Sequence, residues 1–215
     1  MNSDNNALQR TYFLGGPPRV GKSIIAFALA DKVHGHVVST DAIRNAARKT
    51  SFQKDGDLFI VEKTETVSEK EWIENHLNNP KKIVEYQNRE SKALWSSIES
   101  FCNSFCEDDT VHIVEGVAII SSLVAGMKNK PENVVFVGNT SENHLKSLLE
   151  HVRDFPRKDW MSALGYSEER IEAMASFIKE MSLYFKSEAE KYGFPYFEIS
   201  DDNFQSSIGS IVEKL

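Results

Sequence analysis

Cysteine is nearly absent from this chain: of 215 residues only Cys102 and Cys106 carry a thiol. They stand four apart in FCNSFC, one helical turn, with no second Cys or His cluster near enough in sequence to complete a four-ligand metal site. Two packed thiols are the expectation. Long apolar runs are missing as well. No stretch reaches the ~18 consecutive apolar residues of a membrane span, and the opening MNSDNNALQR is polar where a secretion signal needs an apolar centre. Nor is there a basic excess, since 25 Lys plus Arg stand against 32 Asp plus Glu for a net charge of −7. Non-specific binding to nucleic acid draws its affinity from neutralised phosphates, which an acidic chain without a basic tail does not supply. The expectation is a cytoplasmic protein with neither nucleic acid nor membrane as partner. With 40% hydrophobic residues the chain can bury a sizeable core, and its length suits one α/β domain, 1–215, with an inserted lobe.

What is present is an alternation of short apolar runs and longer periodic ones. Tyr12 to Leu14 reads as a strand, followed by a glycine and proline loop and by IIAFALADKV, which is too long for a strand. His36 to Thr40 reads as a second strand and Asp41 as the start of a helix. Residues 51–80 are mostly polar, with Trp72 and Ile73 as the main apolar points, and Pro80 precedes a strongly helical stretch. There Leu94, Ile98, Phe101 and Phe105 recur at steps of four, three and four, which predicts one buried helix face. Val111 to Gly116 and Asn133 to Val137 are rich in β-branched residues and predict a third and fourth strand with a short helix between them. Ser141 is expected to open another helix. Ser167 is a plausible N-cap for a long one carrying Ile171, Met174, Ile178, Met181 and Phe185, with Gly193 and Pro195 as its stop. Tyr196 to Ser200 is the fifth strand, and 201–215 closes the chain as a helix. Strands joined through helices return in parallel, so a five-stranded parallel sheet covered on both faces is expected, with residues 51–106 as a helical lobe.

Gly16-Pro17-Pro18-Arg19-Val20-Gly21-Lys22-Ser23 matches G-x-x-x-x-G-K-[ST] between the first strand and first helix, where the chemistry needs it. By chance the four fixed positions would match roughly once in a hundred such chains, before that context is counted. Backbone N–H groups must wrap a polyphosphate at close range, and glycines leave no Cβ in the way. The helix N-terminus adds a positive dipole end, Lys22 can reach the β and γ phosphates, and Ser23 can ligate Mg²⁺. The prolines are expected to stiffen the loop, and Arg19 either touches phosphate or faces water.

The second strand ends in Ser39-Thr40-Asp41 with Arg44 one helical step on, at the same sheet edge as the loop. Asp41 could accept a proton from an attacking hydroxyl, or could simply cap its helix. Arg44 could hold an anionic acceptor. The third strand ends in Glu115-Gly116, and a carboxylate after mainly apolar residues is costly to place unless a cation, such as a metal, meets it.

GGPPRVGKS, STDAIR and IVEGVAI together resemble the P-loop small-molecule kinases, which include nucleoside monophosphate kinases, shikimate kinase, chloramphenicol phosphotransferase, 2-phosphoglycerate kinase and the zeta-toxin kinases. The resemblance implies a P-loop NTPase three-layer sandwich of strand order 2-3-1-4-5, ATP and Mg²⁺ as cofactors, and a small-molecule phosphate acceptor. It also implies substrate binding in the 51–106 lobe, at Asp41, Arg44, Glu115 and Gly116, and a lid at 151–168. Arg153 and Arg157 stand at the lid position, where a guanidinium's paired donors would meet the transferring phosphoryl group; Lys158 and Arg170 are weaker candidates. The loop Ser200-Asp201-Asp202-Asn203 would border the adenine. Trp72 and Trp160 are candidates for an acceptor pocket. The rival functions are a nucleotide-gated binding module with little transfer and a toxin-type kinase acting on a nucleotide sugar.

Overall fold

The computed structural model describes residues 10–104 and 110–215. Cys106 and Phe105 lie outside them, as do the opening residues 1–9. Five strands, β1 (Thr11–Gly15), β2 (His36–Ser39), β3 (His112–Gly116), β4 (Asn133–Gly138) and β5 (Tyr196–Glu198), form one sheet in the order β2-β3-β1-β4-β5. Every pairing is parallel. A parallel neighbour can be reached only through a crossover, here supplied by helices on both faces, which produces the expected three-layer α/β architecture. The central strands β1, β3 and β4 are almost wholly buried, and their continuous apolar runs follow from being covered on both sides. Leu14 and Ser39 flank Glu115 from either side, and Gly15 lies between Gly116 and Phe136. All five strands therefore end at one edge.

Helix α1 (Lys22–Val33) follows β1, and α2 (Thr40–Thr50) follows β2 without a break. The polar stretch after α2 holds more structure than its composition suggests: a 3₁₀ turn (Asp57–Phe59), α3 (Ile60–Thr64) and α4 (Glu69–Asn78). These short helices are anchored by a few large groups. Trp72 is fully buried, stacks on His76 with ring centroids 3.5 Å apart, and donates from Nε1 to Glu65 at 2.9 Å. The Arg170 guanidinium lies over the same ring. Trp72 is thus a packing anchor, while Trp160 is half open to solvent beside the cavity described below.

Pro80 occupies the first turn of α5 (Pro80–Asn103), where its missing N–H is no loss. Leu94 and Ile98 are buried as expected, but the predicted face turns at Phe101, which is 41% exposed; Cys102 takes its place at 0%. The buried line advances in steps of four, so the residue one position beyond Phe101 joins the core. Burial pushes the Cys102 thiol up to about 12, which keeps it a packed, unreactive group.

Helix α6 (Ser121–Ala125) precedes β4, and α7 (His144–Asp154) starts three residues later than expected. Ser141 does not open it. Its Oγ accepts from the Asn143 N–H in the turn before the helix, and Asn143 holds the N-cap position. Helix α8 (Trp160–Ala163) is a single turn. In α9 (Glu168–Tyr192) Ser167 is the N-cap, accepting from the Arg170 N–H, and the chain leaves the helix through Gly193 at φ 72. The expected stripe from Ile171 to Phe185 is buried. Helix α10 (Phe204–Lys214) closes the chain. Among the described residues no helix is long and apolar enough to cross a membrane.

Two measurements test this packing. Ile98→Ala should lower unfolding free energy by about 2–5 kcal/mol in urea titration, whereas Phe101→Ala should stay within about 1 kcal/mol; equal losses would contradict the assignment of the buried face. Burial lowers the His76 imidazole below its ordinary value, although the hydrogen bond to the Trp72 carbonyl opposes this. Its folded pKa is therefore below its unfolded one. The stability it contributes is present above about pH 6.5 and is lost as pH falls through the folded value. His76→Gln should flatten that part of the stability profile.

Candidate active site

The loop from Gly15 to Ser23 turns off the end of β1 and runs straight into α1. Gly21 is the N-cap at φ 86, a left-handed conformation, and a Cβ there would meet the Phe204 ring at 2.8 Å. No side chain caps the first turn of α1, and it holds no acidic residue. The positive end of the helix is thus left for an external anion. Lys22 is only 8% exposed, and its Nζ donates to the Pro17 carbonyl at 2.5 Å, so the lysine lies back along its own loop. Pro17 and Val20 are buried, and Pro18 is half-buried.

Glu115 faces this loop from the end of β3. It is 6% exposed and accepts from Ser23 Oγ at 3.2 Å. Burial raises its carboxyl above the usual range, opposed by the charge of Lys22 and by hydrogen bonds from Ser23 and Ser39. Burial likewise lowers the Lys22 ammonium, and the fields of Glu115 and Asp41 oppose it. Burial pushes each toward its neutral form, and the charge of the other works against that push.

Asp41 does not cap α2. Ser39 does so, its Oγ accepting from the Asp41 N–H at 3.2 Å, which frees the Asp41 carboxylate for the edge of the site. There it is exposed, pairs with Arg44 at 3.1 Å and adds its field to both Lys22 and Glu115. Gly116 makes this approach possible: at φ 149, a Cβ on it would lie 1.8 Å from Thr40 Oγ1. Arg44 also reaches Glu90 of α5 at 3.7 Å, and Arg48 pairs with the same buried carboxylate. Nothing in the local sequence marks Glu90, because its partners lie in a helix far along the chain.

A cavity of about 420 Å³ lies over the loop, closed by His144, Leu148, His151, Trp160 and Phe204, and lined from below by Arg19 to Ile24. Asp201 also lines it. Burial pushes the Asp201 carboxyl up, but hydrogen bonds from His144, Asn139 and Ser147 outweigh this and hold it below the usual range. That network ties the loop after β5 to the end of β4.

Arg153 and Arg157 are not brought to this cavity. Arg153 is 72% exposed and pairs with its neighbour Asp154 at 2.9 Å, and Arg157 is exposed as well. The arginine that does line the cavity is Arg19, at φ 65 on the crest of the loop. Its guanidinium lies 2.6 Å from Asp159, whose carboxylate is fully buried and whose Oδ1 accepts from the first amides of α8. Arg19 therefore neither faces water nor stands alone; it joins the phosphate loop to the 151–168 segment. Arg170 is engaged elsewhere, with Glu65 and the Trp72 and Tyr166 rings.

Among the described residues no three His, Cys, Asp or Glu side chains cluster as a metal cage. The hydroxyl of Ser23 and the carboxylate of Glu115 do converge, and two oxygens of this kind suit Mg²⁺, which is commonly held jointly by protein and substrate phosphates.

No family model matches the chain, and no curated protein does. Among solved structures, dephospho-CoA kinase from Campylobacter jejuni is similar at 13% identity and a TM-score of 0.38, over 95% of this chain and 96% of that chain. A likeness at that level carries no argument, so the functional reading rests on the geometry of the site.

The Arg19 to Asp159 pair yields a double-mutant test. Arg19→Ala should destabilise by about 3–5 kcal/mol, because it strands a buried carboxylate. Combining it with Asp159→Asn, which keeps the α8 cap, should restore most of that loss in chemical denaturation; simple addition of the two effects would contradict the coupling.

Proposed function

We propose that the protein is an ATP- and Mg²⁺-dependent kinase that moves the γ-phosphoryl group to a hydroxyl or phosphate of a small molecule. The observation that carries this reading is the convergence of Lys22, Ser23, Glu115 and Asp41 at one sheet edge, around a helix N-terminus that no side chain caps. The loop amides and Lys22 bind the β and γ phosphates. Ser23 and Glu115 would hold Mg²⁺ together with the phosphates, and the ion would supply charge neutralisation. An acceptor oxygen on the Asp41 side forms its bond to the γ-phosphorus as the bridging bond to the β-phosphate breaks. ADP leaves, and the acceptor proton passes to Asp41 or, through it, to solvent. Positive charge facing the anionic transferring group comes from Lys22; Arg19 lines the cavity from the same side with its guanidinium paired to Asp159. Closing the cavity with His151 and Trp160 limits water as a competing acceptor. The resemblance at STDAIR and VEG supports the same assignment, and a cytoplasmic site of action accords with ATP as donor.

One observation favours a second reading. The Arg19 to Asp159 link gives a bound nucleotide a direct route to the 151–168 segment, as a nucleotide-gated binding module would require. Two variants separate the readings in a γ-labelled ATP transfer assay run beside an ATP binding isotherm. Lys22→Ala should abolish both binding and transfer. Asp41→Asn should keep ATP affinity and lower transfer about 10²-fold or more. Retained function in Asp41→Asn with loss in Lys22→Ala would favour the binding module, and undiminished ATP affinity in Lys22→Ala would overturn both.

A further inference from the structure

Helix α2 leads away from the sheet edge with a consistent face. Asn45 and Lys49 follow Asp41 at steps of four, and Arg44 and Arg48 stand beside them. From Asp41 an ionic chain runs outward through Arg44, Glu90 and Arg48 to Glu62. Glu90, 1% exposed, is its fixed point, and its two arginines are the reason a carboxylate can be buried there.

At the far end of this chain a second cavity opens, about 580 Å³ in volume and separate from the one over the phosphate loop. Arg48, Lys49, Lys54 and Lys63 line it against a single carboxylate, Glu62, with the buried Phe59 ring among its walls. Lys54 donates to the Arg48 carbonyl and lies 5.1 Å from the Phe59 ring centroid, and Lys63 donates to the Asp55 carbonyl. Both ammonium groups are steered by neutral oxygens and a ring, which leaves their charge uncancelled. Arg48 is paired with Glu90 and Glu62, yet in a chain of net charge −7 the groove still gathers three lysines, Lys49, Lys54 and Lys63, in one concavity.

We propose that this groove holds an anionic group, phosphate or carboxylate, at the far end of the acceptor whose reacting oxygen meets Asp41. The proposal rests on the kinase reading and narrows its substrate class. Lys49 stands eight residue steps after Asp41 on α2, about 12 Å along the axis. The acceptor is therefore an extended molecule with its reacting and anionic ends some 10 Å apart or slightly more, not a compact neutral alcohol.

The test has two arms. In the first, the wild-type protein transfers from γ-labelled ATP to hydroxyl compounds of matched length ending in phosphate, carboxylate or a neutral group. The anionic members should be preferred at least tenfold in kcat/KM, and comparison of the two charged ends separates the phosphate source from the carboxylate one. Lys54→Ala/Lys63→Ala should raise KM for the anionic acceptor about tenfold while ATP affinity is unchanged; equal use of neutral and anionic compounds, or an unmoved KM, would overturn the proposal. In the second arm, pyrophosphate is titrated into the Lys22→Ala variant, whose phosphate loop has lost its cation, and backbone amide shifts are followed. Shifts at Lys49 and Lys54 that vanish in the triple variant with Lys54→Ala and Lys63→Ala support the groove even if no compound is phosphorylated. Absence of those shifts overturns it. Wild-type protein that fails to bind ATP, beside groove shifts in the Lys22→Ala variant, would contradict the kinase reading alone.

Discussion

A lysine at the start of α1 and a glutamate at the end of β3, both withdrawn from water, set the terms for this protein. Lys22 and Glu115 are each pushed by burial toward the uncharged form, and each resists through the other's charge. Ser23, Ser39 and Asp41 complete the arrangement, two as hydrogen-bond donors and one as a second negative field. Isolated, either charge would be among the costliest groups to place in this fold. The parallel order β2-β3-β1 is what brings the two charges near each other, since it sets the end of β3 beside the end of β1, from which the loop runs to Lys22. Gly116 then lets the start of α2 pack directly against the end of β3.

Around that centre the molecule has two sides of different chemistry. Over the phosphate loop the walls are mixed rings and aliphatic groups with a few placed polar atoms, and the loop itself is tied to the segment above it through Arg19 and Asp159. On the Asp41 side the neighbours are charged, and a chain of arginines and carboxylates leads outward along α2. A donor and an acceptor of unlike character would approach the same edge from these two directions. In the proposed transfer the difficulty is negative charge on the moving group, which Lys22 and a metal ion held at Ser23 and Glu115 would offset, while Asp41 would serve the acceptor's proton.

Features written into short stretches of chain were legible. The phosphate loop, the Ser39 to Arg44 turn, the Glu115-Gly116 strand end and the Ser167 cap are each defined by residues within a few positions of one another. The pairs that were not legible span the chain: Arg19 with Asp159, Arg44 and Arg48 with Glu90, Asp201 with His144 and Asn139. An arginine or aspartate in a polar stretch carries no mark of the partner it will meet after folding. Arg153 and Arg157 show the converse, since their positions matched an expectation and the structure turns them to solvent. The exchange of Phe101 for Cys102 on the buried face of α5 has a geometric origin: apolar spacing allows two nearby lines along a helix, and packing in the core selects one of them.

Amide chemical shifts of the isotopically labelled protein, followed while ATP and Mg²⁺ are added, bear most directly on the central arrangement. The amides of Gly21, Lys22 and Ser23 should move together and saturate at millimolar ATP or below, with Glu115 following as its environment changes. Saturable shifts confined to other parts of the surface, with the residue 15–23 loop unmoved, would contradict the account.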